Sequence, residues 1–185
     1  MNVFGLLIEQ MQGMLNSGGP AELESEFEGV CRLFAGDSVT DRLRSLDISD
    51  FEAELHANSV EALARARKSG ARAIYFEYDL DNGWSSNFFI CKDYSPLDKH
   101  KDYGDDDWAC EWVDELRGPE CPSFADAYSE FGYRDEPAKM GPTLLLIART
   151  IAAFARATSK LEPGNIALTL AFHDQDPIMR VHEPK

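Results

Sequence analysis

The chain has 185 residues, 44% of them hydrophobic and 28% charged, with a formal net charge of −15. That is enough apolar chain for one domain with its own core, and it argues against disorder. The negative field excludes nucleic acid and anionic membrane as favoured partners and draws cationic ones inward.

Val3 to Leu15 carries Phe4, Leu7, Ile8, Met11, Met14 and Leu15 at helical spacing. Asn16, Ser17, Gly18 and Gly19 predict a stop, and Pro20 suits the first turn of a second helix. That helix carries an apolar stripe of Leu23, Phe27, Val30, Cys31 and Phe34. After Gly36 a short helix is predicted through Thr40 to Leu46. Ser49 and Glu52 have the spacing of a capping box, which predicts a helix starting there. Arg65, Arg67 and Lys68 fall in its last turns and Gly70 ends it. Met1 to Leu15 contains Glu9 and no Lys or Arg, so no secretory leader is expected. No apolar run is long enough to span a bilayer, and a cytoplasmic location is the expectation.

Ala73 to Asp93 holds two strand-like runs around Asn82-Gly83, a pair suited to the positive φ angles of a two-residue hairpin turn. Such a turn pairs Glu77 with Phe88 and Asp79 with Ser86, and sets Asp81 opposite Trp84. Ile74, Phe76, Tyr78 and Leu80 then face a core together with Phe89 and Cys91. Glu77, Asp79 and Asp81 form an acidic row on the other face, beside Trp84. Pro96 to Asp107 reads as a polar loop, and Trp108 to Glu115 as a third strand with Trp108, Cys110 and Trp112 on one face. Trp112 is expected in the core. Gly118-Pro119 breaks that strand, and Ser123 is placed to cap a short helix from Phe124 to Phe131. Pro142 opens a long helix, Leu144 to about Thr158, that is apolar nearly all round and so predicted central. Ile166 to Phe172 alternates and Ile178 to His182 returns, a second hairpin over residues 166–182. The order predicts an α+β fold: a mostly antiparallel sheet of about five strands packed with several helices. One domain is expected over 1–185, helical to residue 70, with sheet and helices over 71–185.

Motifs for chemistry are sparse. Cys31, Cys91, Cys110 and Cys121 include no Cys-x-x-Cys pair, so reduced thiols, with Cys31 and Cys91 buried, are expected and no disulfide. The acids from Asp79 lack the glycine and glutamate positions of a calcium loop. Asp105, Asp106 and Asp107 read as a solvated acidic loop, and neither a metal nor a cofactor is expected. No nucleophile elbow, phosphate loop or dinucleotide fingerprint occurs. What remains is tryptophan beside carboxylate, which suits a basic partner: the ring packs on Arg or Lys stems while the acids take the charge. The candidate partner-binding residues are Glu77, Asp79, Asp81, Trp84, Asp105, Asp106, Asp107 and Trp108. The alternative is a cytosolic, hydrolase-like enzyme whose site is assembled from scattered Asp, Glu, His and Cys.

Three segments together resemble a functional class. Tyr75 to Asp79, Trp84 with Asn87-Phe88-Phe89, and Asp106 to Trp112 are similar to small acidic bacterial immunity proteins of polymorphic or contact-dependent toxin systems. The resemblance covers residues 73–117. It implies a non-enzymatic inhibitor that occludes the active site of a basic toxin, such as a nuclease or deaminase.

Overall fold

The computed structural model describes residues 3–94, 111–133, 136–173, 175 and 178–184. Five helices and five strands follow in the order α1 (Val3–Ala35), α2 (Asp37–Arg44), α3 (Ser49–Ser69), β1 (Ala73–Tyr78), β2 (Ser86–Cys91), β3 (Trp112–Arg117), α4 (Pro122–Phe131), α5 (Pro137–Thr158), β4 (Ala167–Phe172) and β5 (Met179–His182). The fold is α+β, as expected. One sheet runs β3-β2-β1-β4-β5, with all neighbours antiparallel except β1 and β4. That parallel pair needs a long crossover, and α4 and α5 lie within it.

The predicted break between the first two helices is a kink. Gly19 has a φ of 76° that helical residues do not adopt, and Pro20 follows it without needing a hydrogen-bonded N–H. The capping box is not formed. Ile48 occupies the cap position, Ser49 is already helical, and the Ser49 N–H donates to Asp47 Oδ1 at 2.9 Å. Glu52 is drawn instead to Arg156 of α5, at 2.5 Å. The other end follows the sequence: Gly70 is left-handed at φ 70°, and the Ala71 N–H reaches the Ala66 carbonyl at 2.9 Å.

The described helices pack on one face of the sheet. Phe154 of α5 stacks on Phe76 of β1 at 5.1 Å between centroids, and Phe88 of β2 lies 4.9 Å from Phe76. Ile74, Ile90, Leu168, Leu170 and Met179 complete this inner face. Against the expectation that no apolar run is long enough, α5 has the length and composition to cross a membrane, but 83% of its apolar stretch is buried in the fold. It is the central packing helix that the sequence predicts.

The first hairpin forms, but one residue out of the expected register. Phe76 pairs with Phe88, Glu77 with Asn87 and Tyr78 with Ser86. Asp79 to Ser85 make a longer loop, closed by Asp79 N–H to the Ser85 carbonyl (2.9 Å) and Ser85 N–H to the Asn82 carbonyl (3.2 Å). A one-residue shift turns every side chain of the second strand over. Phe88 and Ile90 therefore face the helices, whereas Phe89 faces away with Tyr75, at 6.0 Å between rings. Cys91 is buried, as expected, but it is disulfide-bonded, against the expectation of free thiols throughout; Cys31 and Cys121 are free.

Candidate functional site

The register sets a grid of side chains on the face that no described helix covers. One row across the sheet is Glu115, Phe89, Tyr75, Thr169 and Arg180. A second is Arg117, Asn87, Glu77 and Ala171; a third is Trp112, Cys91, Ala73 and Ala167. The face is graded. Thr169, Ala171 and Arg180 are buried on the β4–β5 side, while Asn87, Trp112, Glu115 and Arg117 are exposed on the β2–β3 side. Tyr94 and Ile178 pack on the small residues Ala73, Cys91 and Ala167. The Tyr94 hydroxyl donates to Glu183, and its ionisation is suppressed chiefly by burial.

Three of the sequence-predicted acids stand where a partner can reach them. Glu77 lies on this outer face, half-buried between Tyr75, whose hydroxyl donates to it at 3.0 Å, and His173, whose ring nitrogen is 3.3 Å away. Asp79 and Asp81 sit in the β1–β2 loop, Asp79 half-buried and Asp81 exposed, with the Asp79 carboxylate accepting from the Asp81 N–H at 2.9 Å. Asp105, Asp106, Asp107 and Trp108 lie outside the described residues.

Trp84 does not belong to the site. It is fully buried, its indole N–H donates to Thr150 of α5 at 3.1 Å, and its ring meets Tyr78, Phe124 and Tyr128. A left-handed backbone, φ 52°, turns the ring inward from the loop. Of the two described tryptophans, Trp112 is the exposed one, at 59%, beside Val113 at 49%. Trp112 was expected in the core; its ring lies 5.2 Å from Phe89 on the outer face. The sequence reading missed Phe89, Trp112 and Glu115 as surface residues. The available signal was Phe88-Phe89-Ile90, apolar on both faces of one strand.

Both sheet edges are occupied by helix side chains. Asn58 and Arg65 of α3 donate to the carbonyls of Arg117 and Glu115 on the outer side of β3, at 2.8 and 3.1 Å. On β5, the Gln12 amide of α1 takes both backbone groups of Arg180: it accepts from the N–H at 2.6 Å and donates to the carbonyl at 2.9 Å. Edge strands sealed in this way do not offer a free ladder.

A cleft of about 570 Å³ opens between the start of α3 and the β3–α4 connection. Several of its polar groups are engaged with one another. Asp47 is held below the usual carboxylate range by its bonds to Ser49, and Arg117 pairs with Glu120 at 2.5 Å. Burial pushes the Cys121 thiol at its floor up, away from the thiolate a nucleophile requires. His56 and His182 place ring nitrogens on the backbone carbonyls of Ala157 and Gly164, at 2.7 and 3.2 Å. Among the described residues, no group of three or more His, Cys, Asp or Glu side chains is arranged to hold a metal. Comparison with family models, curated proteins and solved structures gave no match to this chain.

Proposed function

We propose that this chain is a non-enzymatic binding protein that neutralises a basic protein toxin, such as a nuclease or deaminase, by occluding its active site. The observation that carries the proposal is the position of Glu77, Asp79 and Asp81. Strand β1 buries Ile74, Phe76 and Tyr78 against the helices and sends its acids out, along the face that no described helix covers and into the loop beyond it. The net charge of −15 gives those acids a long-range field, so a cationic partner associates faster than the neutral range of about 10⁵–10⁶ M⁻¹s⁻¹. The resemblance over residues 73–117 supports the identity of that partner as a toxin. The reading places the protein in the cytoplasm, with neither nucleic acid nor membrane as a partner and no cofactor.

The test is co-expression. The product of the adjacent reading frame is induced with and without this chain, and growth and complex formation are measured. Growth restored by a stoichiometric complex is the expected result. An adjacent product that is harmless on its own and does not bind the chain would sink the toxin reading.

A further inference from the structure

We infer that the β2–β3 half of the face that no described helix covers, centred on Phe89, Trp112 and Glu115, is a docking surface for arginine side chains of a basic protein, engaged by side-chain contact and not by strand addition. This rests on the proposed function and adds the surface and the chemistry of its occupant.

Trp112 and Val113 are two of the most exposed large apolar residues described, and they are consecutive on one strand. Phe89 extends the aromatic surface inward from Trp112, and Tyr75 extends it again. Isolated exposed apolar residues need no explanation, whereas a continuous run of rings rimmed by charge marks an interaction site. The rim carries both charges, with acid in excess. Glu115 lies beside Phe89 and Trp112, and its carboxylate has no ion-pair partner among the described residues; Glu111 is paired with Lys92 at 3.3 Å, Arg117 with Glu120 at 2.5 Å, and Glu77 lies two strands away.

The occupant follows from what the molecule refuses. Strand addition is blocked on β3 by Asn58 and Arg65 and on β5 by Gln12. A second copy would bring another −15 against this face. A guanidinium satisfies both parts of the surface, because its plane stacks on an indole or phenyl ring while its N–H groups reach carboxylates. A lysine ammonium supplies the charge but is a strongly hydrated point without a stacking plane.

The test compares hexa-arginine with hexalysine, titrated against the whole protein and against Trp112→Ala and Glu115→Gln, with affinity read by calorimetry at two salt concentrations. The protein should bind the arginine peptide about two- to five-fold more tightly than the lysine peptide, because the guanidinium plane stacks on the ring and an ammonium does not. Trp112→Ala should remove that preference, weakening the arginine peptide more than the lysine peptide; Glu115→Gln should weaken both peptides and keep the preference. Circular dichroism checks that both variants are folded. Equal affinity for the two peptides, or a preference that survives in Trp112→Ala, overturns the inference. So does a concentration-dependent dimer that Trp112→Ala abolishes, since the face would then belong to a second copy. If Trp112→Ala loses the arginine preference but the co-expressed reading-frame product is not neutralised, the surface stands and the toxin reading falls. If the preference survives while toxin neutralisation succeeds, the reading stands and this surface falls.

Discussion

Trp84 holds a left-handed backbone that a bulky residue adopts only when its surroundings compensate. The compensation is visible: full burial, three aromatic neighbours and a hydrogen bond to Thr150, whose own hydroxyl donates on to the Leu146 carbonyl at 2.9 Å. Trp84→Ala should therefore lower the unfolding free energy by about 3–5 kcal/mol, measured by urea denaturation. A loss under about 1 kcal/mol would show that the ring is not part of the core. The cysteines make a second residue-scale prediction. Unfolded without reductant, the protein should titrate two thiols with a chromogenic disulfide reagent, from Cys31 and Cys121, and four after reduction. In the native state those two should react slowly, because each is buried and burial raises its pKa, leaving less thiolate. Four thiols before reduction would mean that Cys91 is free.

Helices α1 and α5 approach closely where Gly141 faces Cys31 and Phe34. A Cβ at Gly141 would lie 2.8 Å from the Phe34 Cβ and 3.1 Å from the Cys31 Cα, and backbone cannot move aside as a side-chain tip can. Gly141→Ala should cost about 1–3 kcal/mol despite the better helix propensity of alanine. A thermal melt that rises for this variant would contradict the close approach. The same helix carries two arginines that tie elements together. Arg156 reaches Glu24 of α1 at 2.6 Å and Glu52 of α3 at 2.5 Å. Arg149, buried against Phe124, donates to the carbonyls of Leu43 and Leu46 where α2 ends, so it satisfies groups that a helix C-terminus leaves open.

For the whole molecule, the sealed edges and the charge act against the same hazard, pairing between copies. Removing the seals in a Gln12→Ala, Asn58→Ala, Arg65→Ala variant leaves the repulsion in place. At low ionic strength the variant should remain monomeric. Near 1 M salt, where the screening length falls to about 3 Å, it should associate while the parent chain does not. Light scattering after size exclusion reads both states. A variant that stays monomeric at every salt concentration would show that the side chains are not what keeps the strands apart.

Local chemistry in the sequence was sufficient for the elements themselves: apolar spacing for α1, α3 and α5, Gly19-Pro20 for the kink, Gly70 for the end of α3, alternation for β1 and β4. It was also sufficient for Glu77, because the alternation of β1 alone sends it to the face opposite Phe76. The turnover of β2 was not legible. Phe88 and Phe89 are equally apolar, so either could be the inward residue, and the side-chain period of two makes a one-residue change in the loop decisive. The observed register goes with Trp84 buried and hydrogen-bonded to Thr150, 66 positions along the chain. The edge seals are of the same kind, since Gln12 and Arg180 are 168 positions apart. Nor does the sequence say that the described helices all pack on one side of the sheet, and that is what leaves Trp112 exposed instead of in the core. Spacing and turn residues act within a few positions of themselves. Register, edge closure and the choice of the face that the described helices cover depend on which distant side chain arrives, and only the tertiary structure determines that.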